Sequence, residues 1–511
     1  MTGSLPTTAP GAAPPRGGGG SRGSATAKDA GAAPFEVHKR ASETGSLAAG
    51  GEDLVLWDNY RQHSAIERRG STLGHPHEGH SSWLAGVGHI ICANIGAGVL
   101  SLPNAVAWLG YVAGPIMVVF CTGVAMMCAE MLTHAYRAKG ERRATYKDAV
   151  TAQLGPRAAG GIVAILYLKY FLVTVGYTVV AATAMQYIAR YACDAAGKGA
   201  SCPASALWIH VLIFSAVQLL LSQLPNLESV AGASAVGALM SLLYTGIALV
   251  LAFASVRNAR GSPLGRPGTS PLDKVMGVFN AFGSILFSNA SAVLTIDIQH
   301  TMKEPPPSDV TMRKVVRTAF GTAMVLYLAT GTAGYIAIGD SVGADVLVEF
   351  ENEPQIHKVV PLIANIATVV HFFPAYQVFA QPLFVILEQA LLGALPKSIN
   401  ARIQEGGRDW PVRLAYRSFY VCITTLLAAC LPFFGAISGL IGALAFWPTV
   451  VLAPITMYLQ IRKPAKARAI ALQVLLWAMF VIAALALIGS VYGFVRSAKS
   501  FKPFGGGSSP H

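Results

Sequence analysis

The stretch NIGAGVLSLP, Asn94 to Pro103, interrupts sequence that is otherwise apolar. Gly96 and Gly98 stand two residues apart, and Pro103 follows five residues later. In a helix interior Gly costs about 1 kcal/mol and Pro about 3 kcal/mol relative to Ala. The flanks, WLAGVGHIICA before and AVAWLGYVAGPIMVVF after, are suited to lipid. Lipid tolerates broken backbone less well than water does, because no solvent is there to satisfy freed N–H and C=O groups. The breakers therefore mark a place where protein or a cavity covers the backbone.

Working outward, the 511 residues have a mean hydropathy of +0.51 and only 12% charged side chains. A soluble chain carries roughly twice that charge, about 25%. The composition is that of a multispanning membrane protein and excludes a soluble enzyme. A formal charge of +13 invites a nucleic-acid reading. The basic residues, however, lie in short loops and in the N-terminal tail, so membrane topology accounts for them and no nucleic-acid partner is expected. Residues 1–55 are rich in Gly, Ala, Pro, Ser and Thr and lack an apolar h-region. They read as part of a disordered cytosolic tail over 1–80, not a secretory signal. Residues 495–511, ending in GGGSSPH, read as a flexible C-terminal tail.

About 20 apolar residues cross a bilayer. Eleven spans are predicted: 82–109, 110–136, 160–191, 205–223, 228–256, 273–300, 314–338, 358–391, 412–433, 435–460 and 468–494. With the N-terminus inside, Lys and Arg gather in the inner loops near 137–157, 303–313, 397–408 and 462–466. The outer loops carry fewer, and the loop 339–357 holds Asp340, Asp345, Glu349, Glu351 and Glu353 instead. That bias orients the chain with a cytosolic N-terminus. The expected location is the plasma membrane, with a vacuolar or other endomembrane as the alternative. The loop RYACDAAGKGASCPAS then faces an oxidising space, and Cys193 is expected to bond Cys202. Cys92, Cys121, Cys128, Cys422 and Cys430 lie in apolar spans without metal-ligand spacing, so no metal site is expected.

Carriers built from inverted repeats interrupt the first helix of each half near mid-membrane. Here span 6, AFGSILFSNASAVLTIDIQH, carries Phe287, Ser288, Asn289 and Ser291 where span 1 carries its glycines. Two five-helix repeats, 82–256 and 273–460, followed by one extra helix, 468–494, describe the pattern. Freed amides at a helix N-terminus hold compact anions. An α-amino acid fits, its carboxylate on the amides of Gly96, Ala97 and Gly98, its ammonium near the carbonyl of Ile95 or span 6. Tyr177 in span 3 is placed to hydrogen-bond that carboxylate, and the side chain is expected to face spans 3, 6 and 8.

At this point the chain resembles the amino acid/auxin permease family, of the amino acid–polyamine–organocation superfamily. The likeness rests on NIGAGVLSLP, ATYKDAV, GYTVVAATAMQYIARYAC, LSQLPNLESV, IDIQHTMKEPPP, VVHFFPAYQVFAQPLF and LIGALAFWPTVVLAPITMYL, in that order. It implies an all-α, LeuT-like fold and proton-driven symport of amino acids, with the co-transported proton as the sole accessory and no cofactor. The family pattern differs at Ala97, usually Ser, at Asn289 and Ser291, near which it has an aromatic residue, at His300, where it is acidic, and at Lys169, where it has no cation.

Charge within the membrane is a functional signal by default. Asp297 lies six residues past Ser291, where family members carry a carboxylate, and His371 matches a family histidine. Both are candidates for the coupling proton. Lys169 is expected to snorkel to the inner surface, to pair with Asp297, or to act as a fixed cation in place of sodium. Glu130 and His134, one turn apart, are expected at the inner interface. The chain has no G-x-x-x-x-G-K-[ST], which excludes an ATP-driven pump of that type, and no converging nucleophile set for an enzyme. The alternative function is an amino-acid sensor or a facilitator without proton coupling. A functional monomer in contact with lipid is expected.

Overall fold

The computed structural model describes residues 79, 81–197, 206–224, 231–256, 261–351, 353, 356–394 and 410–500. The expected tail over 1–80 lies outside them, apart from Gly79, and so does Cys202. Helix α1 is Trp83–Asn94, and α2 begins three residues later at Ala97 and runs to Ala135. The two residues between them are not helical: Ile95 has φ −87°, ψ 68° and Gly96 has φ −112°, ψ −143°. The predicted break is therefore real and two residues long.

Inside α2 the chain turns once more. Gly110 adopts φ +85°, which only glycine takes without strain, and a Cβ there would lie 2.3 Å from the Pro263 carbonyl. Gly114 consequently packs back against Val106. This turn falls where the first predicted span ends, so one continuous apolar stretch folds into two arms. The segment 261–266 is fastened over it through Tyr111 N–H to Pro263 O at 3.2 Å and Arg266 N–H to Ala107 O at 2.9 Å.

The remaining helices are α3 Tyr146–Leu154, α4 Pro156–Ala195, α5 Leu207–Leu221, α6 Ala231–Ser255, α7 Pro271–Ser288 and α8 Thr295–His300. They continue with α9 Ser308–Ile338, α10 Val346–Glu351, α11 Val359–Ala394, α12 Trp410–Cys430, α13 Phe434–Ala445, α14 Ala453–Arg462 and α15 Lys466–Ser500. Between α7 and α8 the backbone tightens to a 3-10 turn, Ala290–Leu294. Span 6 is thus interrupted at its predicted serines and asparagine. The last helix extends past the expected limit at 494, because Arg496 near its end is held by Asp273.

Among the described residues eight helical stretches are long and apolar enough to cross a membrane. Trp83–Asn94 and Leu207–Leu221 are shorter apolar helices. Large apolar side chains point outward along several of them, such as Leu220 at 74% and Trp477 at 61% exposure, as a lipid-facing surface requires. Inside, small residues let backbones touch: a Cβ on Gly442 would sit 2.0 Å from the Gly283 carbonyl, closing α13 onto α7. Buried Arg417 of α12 donates to the carbonyls of Ser222 at 2.7 Å and Leu224 at 3.0 Å, neutralising the carbonyl end of α5.

One irregularity has no counterpart in the predicted spans. Between α13 and α14, Phe446–Leu452 forms a π-helical turn around Pro448. It turns the Thr449 carbonyl outward to accept the Tyr146 hydroxyl at 2.6 Å, tying α3 to this helix.

Candidate functional site

The two breaks face each other. A Cβ on Gly98 would lie 2.7 Å from the Ser288 Cα, so the backbones of α2 and α7 meet at the interruption. Ser291 Oγ donates to the side-chain oxygen of Asn94, joining the 3-10 turn to the end of α1. Tyr327, on α9, brings its hydroxyl within 2.6 Å of the Asn94 carbonyl and 2.8 Å of the Ser288 carbonyl. Tyr244 of α6 donates to the Ile95 carbonyl at 3.0 Å. The carbonyls of Asn94, Ile95 and Ser288 thus each have a phenol aimed at them, which is how broken helices persist away from water.

The amide side of the break is different. Gly96 is non-helical, and no side chain caps the N-terminus of α2. Its first amides, from Gly96 to Gly98, are the groups an N-terminus leaves without helical partners. Around them stand Tyr177, whose hydroxyl lies 3.0 Å from the position of a Gly96 Cβ, and His371, whose Nε2 lies 3.7 Å from it. Tyr177 is held by Phe372 and Phe379, ring centroids 4.7 Å and 5.6 Å away. All three elements named in the sequence reading, spans 3, 6 and 8, contribute to this place.

The polarity of the site follows from its hydrogen bonds. His371 Nδ1 lies 2.8 Å from the Gly237 carbonyl, which accepts only from a protonated nitrogen. That fixes Nε2 of the neutral ring as an acceptor, fully buried and without a partner. Asn94 Nδ2 and Asn289 Oδ1 are likewise buried and unpartnered. A donor on Asn94 and an imidazole nitrogen on His371 are left open at the junction of two broken helices, where a small polar ligand would satisfy them.

The predicted residues do not all converge. Ile95, Gly96, Ala97, Gly98, Tyr177, Ser288, Ser291 and His371 gather at the junction. Asn289 turns its Nδ2 back to the Ile285 carbonyl at 3.0 Å, and Phe287 packs against Phe434 at 6.1 Å between centroids. Lys169 neither snorkels nor pairs with Asp297. It is 2% exposed, and its ammonium donates to the Ala290 carbonyl at 2.5 Å. The carbonyl released by the 3-10 turn is the nearer acceptor. Asp297 instead accepts from the N–H of Tyr146, the first residue of α3. Glu130 makes a surface ion pair with Arg317 at 2.7 Å, and half-buried His134 packs on Tyr458. Cys193 is disulfide-bonded, while Cys202, its expected partner, lies outside the described residues. Among the described residues no group of three His, Cys, Asp or Glu side chains is set to hold a metal ion. Sequence reasoning missed Tyr327, Tyr244 and Asn94. Only Asn94, inside the quoted motif, carried a local signal.

Before α1, Ser81 pairs with the strand-like residues after α8. Its N–H reaches Thr301 O at 2.9 Å, and its carbonyl accepts from Lys303 N–H at 3.0 Å. Glu304 beside them accepts from Arg137 at 2.6 Å and from Arg142 at 3.0 Å. Burial alone would raise the Glu304 carboxyl, but Arg137, the Ser308 N–H and Arg142 hold it below its ordinary value. This cluster closes one end of α1. On the opposite side, burial and the neighbouring Asp345 push Glu351 up to about 8, although Asn365 donates to it at 3.0 Å.

Comparison with known proteins follows the same outline. The profile of the family described as Transmembrane amino acid transporter protein matches residues 79–496. Amino acid permease 2 of Arabidopsis thaliana is 35% identical over 442 residues, covering 83% of this chain and 89% of that one. Amino acid permease 8 of the same plant is 33% identical, covering 88% of this chain and 99% of its own length. Among solved structures, MhsT in complex with L-phenylalanine superposes with a TM-score of 0.51 at 15% identity, over 83% of this chain and 99% of that one. The helical fold predicted from the sequence is thus the fold found.

Proposed function

The chain belongs to the transmembrane amino acid transporter family, and from that premise we propose that it is a proton-coupled amino-acid symporter working by alternating access. Its relatives bear the names of permeases, and the fold is that of a carrier, so transport of amino acids is the coarse reading. The finer reading rests on one observation. The uncapped N-terminus of α2 meets the Tyr177 hydroxyl and the open Nε2 of His371 at the junction of two broken helices.

In this reading the substrate carboxylate takes the amides of Gly96, Ala97 and Gly98 together with the Tyr177 hydroxyl. Anions are favoured at that end of a helix by its dipole. The ammonium faces acceptors: the Ile95 carbonyl, which Tyr244 only half occupies, and His371 Nε2. His371 lies where a proton and the substrate would be sensed together. Asp297 lies at the inner end of the same broken helix, where protonation would weaken its hold on α3. Lys169 serves as a resident cation on the unwound turn, in place of a bound metal ion. The carrier acts as a monomer among lipids, in the plasma membrane with a cytosolic N-terminus.

Purified protein in liposomes tests this reading. Labelled amino acids should accumulate against their gradient when the outside is acidified, and accumulation should collapse with a protonophore. Uptake that only equilibrates would mark a facilitator, and binding without uptake a sensor.

A further inference from the structure

Two half-helices end at the junction with their carbonyl ends together. Asn94 is the last residue of α1, and Ser288 is the last of α7. Carbonyl ends carry partial negative charge, and two of them placed side by side repel. The hydroxyl of Tyr327 reaches both, 2.6 Å from one carbonyl and 2.8 Å from the other, on a side chain with no exposed surface. A phenol has one proton. At any instant it serves one carbonyl fully, or both partially.

That stoichiometry matters once α1 is allowed to move. While α1 is seated, the Tyr327 proton is shared between the two helix ends. If α1 swings away, the Asn94 carbonyl reaches water, and the proton passes wholly to Ser288. The hydroxyl gives up one of its two acceptors when the helix leaves, and it offsets the repulsion between the two carbonyl ends only while the helix is seated. Ser288 keeps the phenol in place throughout, because α7 packs against α13 through Gly283 and Gly442. Other polar contacts of α1 and its flanks lie at Ser81, Trp83, Ile95 and the Asn94 side chain. None of them bridges the two carbonyl ends.

We propose that Tyr327 is a positioning residue that holds α1 shut by sharing its hydroxyl proton between Asn94 and Ser288, and that this sharing sets how often the inner end of the carrier opens. The inference rests on the alternating-access reading for its consequence in transport, but the fastening itself stands without it.

Cys92 reports the movement. It sits on α1, is 3% exposed, and its sulfur lies against the backbone of Gly237 on α6. Full-length protein in liposomes is alkylated with a maleimide, and the Cys92 peptide is quantified by mass spectrometry. Tyr327→Phe removes only the hydroxyl. Labelling of Cys92 should rise roughly tenfold without substrate, about the change one buried hydrogen bond commands. Apparent KM for external amino acid should rise by a similar factor, and kcat should move much less. Tyr335→Phe is the control, since that hydroxyl on the same helix serves Ser262 and Asp340 in the outer loop. It should leave Cys92 labelling unchanged.

Wild-type labelling in Tyr327→Phe, with uptake intact, overturns the proposal and leaves the transport reading standing. Raised labelling in a protein that transports nothing supports the fastening and removes the transport reading. If Tyr327→Phe does not fold, 3-fluorotyrosine at position 327 decides, because it keeps the ring and is a stronger donor. Cys92 labelling slower than wild type supports the proposal, and an unchanged rate overturns it.

Discussion

Gly98 and Ser288 meet backbone to backbone: a Cβ on the glycine would lie 2.7 Å from the Ser288 Cα and 2.8 Å from its Oγ. The hydroxyl can rotate aside, but the Cα moves only with the backbone of α7. Substitution must therefore push the two broken helices apart. Gly96 is different, because its neighbour at 3.0 Å is the mobile hydroxyl of Tyr177.

The first prediction follows from that contrast. Overpacking of this kind costs about 1–3 kcal/mol. Gly98→Val should abolish labelled amino-acid uptake while surface biotinylation stays near wild type. Gly96→Ala should fold normally and raise KM severalfold by displacing Tyr177. Normal uptake by correctly delivered Gly98→Val would remove the site from this junction.

The acidic loop 339–357 provides a pH prediction. Burial first, and Asp345 second, push Glu351 from 4.5 up to about 8, and burial pushes Asp345 from 3.8 up to about 6. Glu349 adds negative charge beside both, and Arg190 opposes it at Glu351. Folded values above the ordinary ones mean that stability is fully present in acid and is lost as pH rises through about 6 and then about 8. Hydrogen exchange over residues 342–351, corrected for its intrinsic pH dependence, should be severalfold faster at alkaline than at acid pH. Glu351→Gln should flatten the difference. A loop equally protected at both pH values would refute this.

The Glu304 cluster has the opposite sign. Glu304 is held below its ordinary value, so its contribution is present at neutral pH and fades as pH falls through the acid range. Charge-assisted hydrogen bonds contribute about 1.5–3 kcal/mol. Glu304→Gln should lower the melting temperature by a few degrees at neutral pH and by less in acid. An equal shift at both pH values would mean that the ion pairs with Arg137 and Arg142 contribute nothing measurable.

Much of this arrangement was legible in the sequence, and what was missed has common physical roots. Gly96, Gly110 and the Ser288–Ser291 cluster disfavour helix by themselves, so their breaks follow from local propensity. The π-helical turn over Phe446–Leu452 had only Pro448 as a sign, inside an unbroken apolar run that reads equally well as a plain span. The snorkelling and Asp297-paired readings of Lys169 fail because its acceptor, the Ala290 carbonyl, exists only where a helix 121 residues away unwinds. Tyr327 looks like any aromatic residue in an apolar helix. Its partners lie 233 and 39 residues distant in the chain. Local pattern finds where backbone breaks, and only the packed helices reveal what satisfies it.

The proposed proton coupling requires a group that binds a proton in one state and releases it in the other. Asp297 meets that need through α3: its carboxylate accepts from the Tyr146 N–H, and the Tyr146 hydroxyl in turn holds the Thr449 carbonyl. Protonation there would weaken one end of a chain of contacts between span 6 and the π-helical turn. His371 meets it at the substrate, with Nδ1 committed to Gly237 and Nε2 open. The two are separable by substitution. In Asp297→Asn the side-chain carbonyl still accepts from Tyr146, so the contact survives and only the titration is lost. Amino-acid exchange should then persist in proteoliposomes while accumulation driven by a pH gradient disappears. His371→Gln keeps a donor for Gly237 and should leave exchange at a raised KM. It should lose pH-driven accumulation only if the imidazole is the carrier. Full pH-driven accumulation in both variants would exclude both residues and move the proton to the substrate itself or to Lys169, whose replacement by Met is then the deciding measurement.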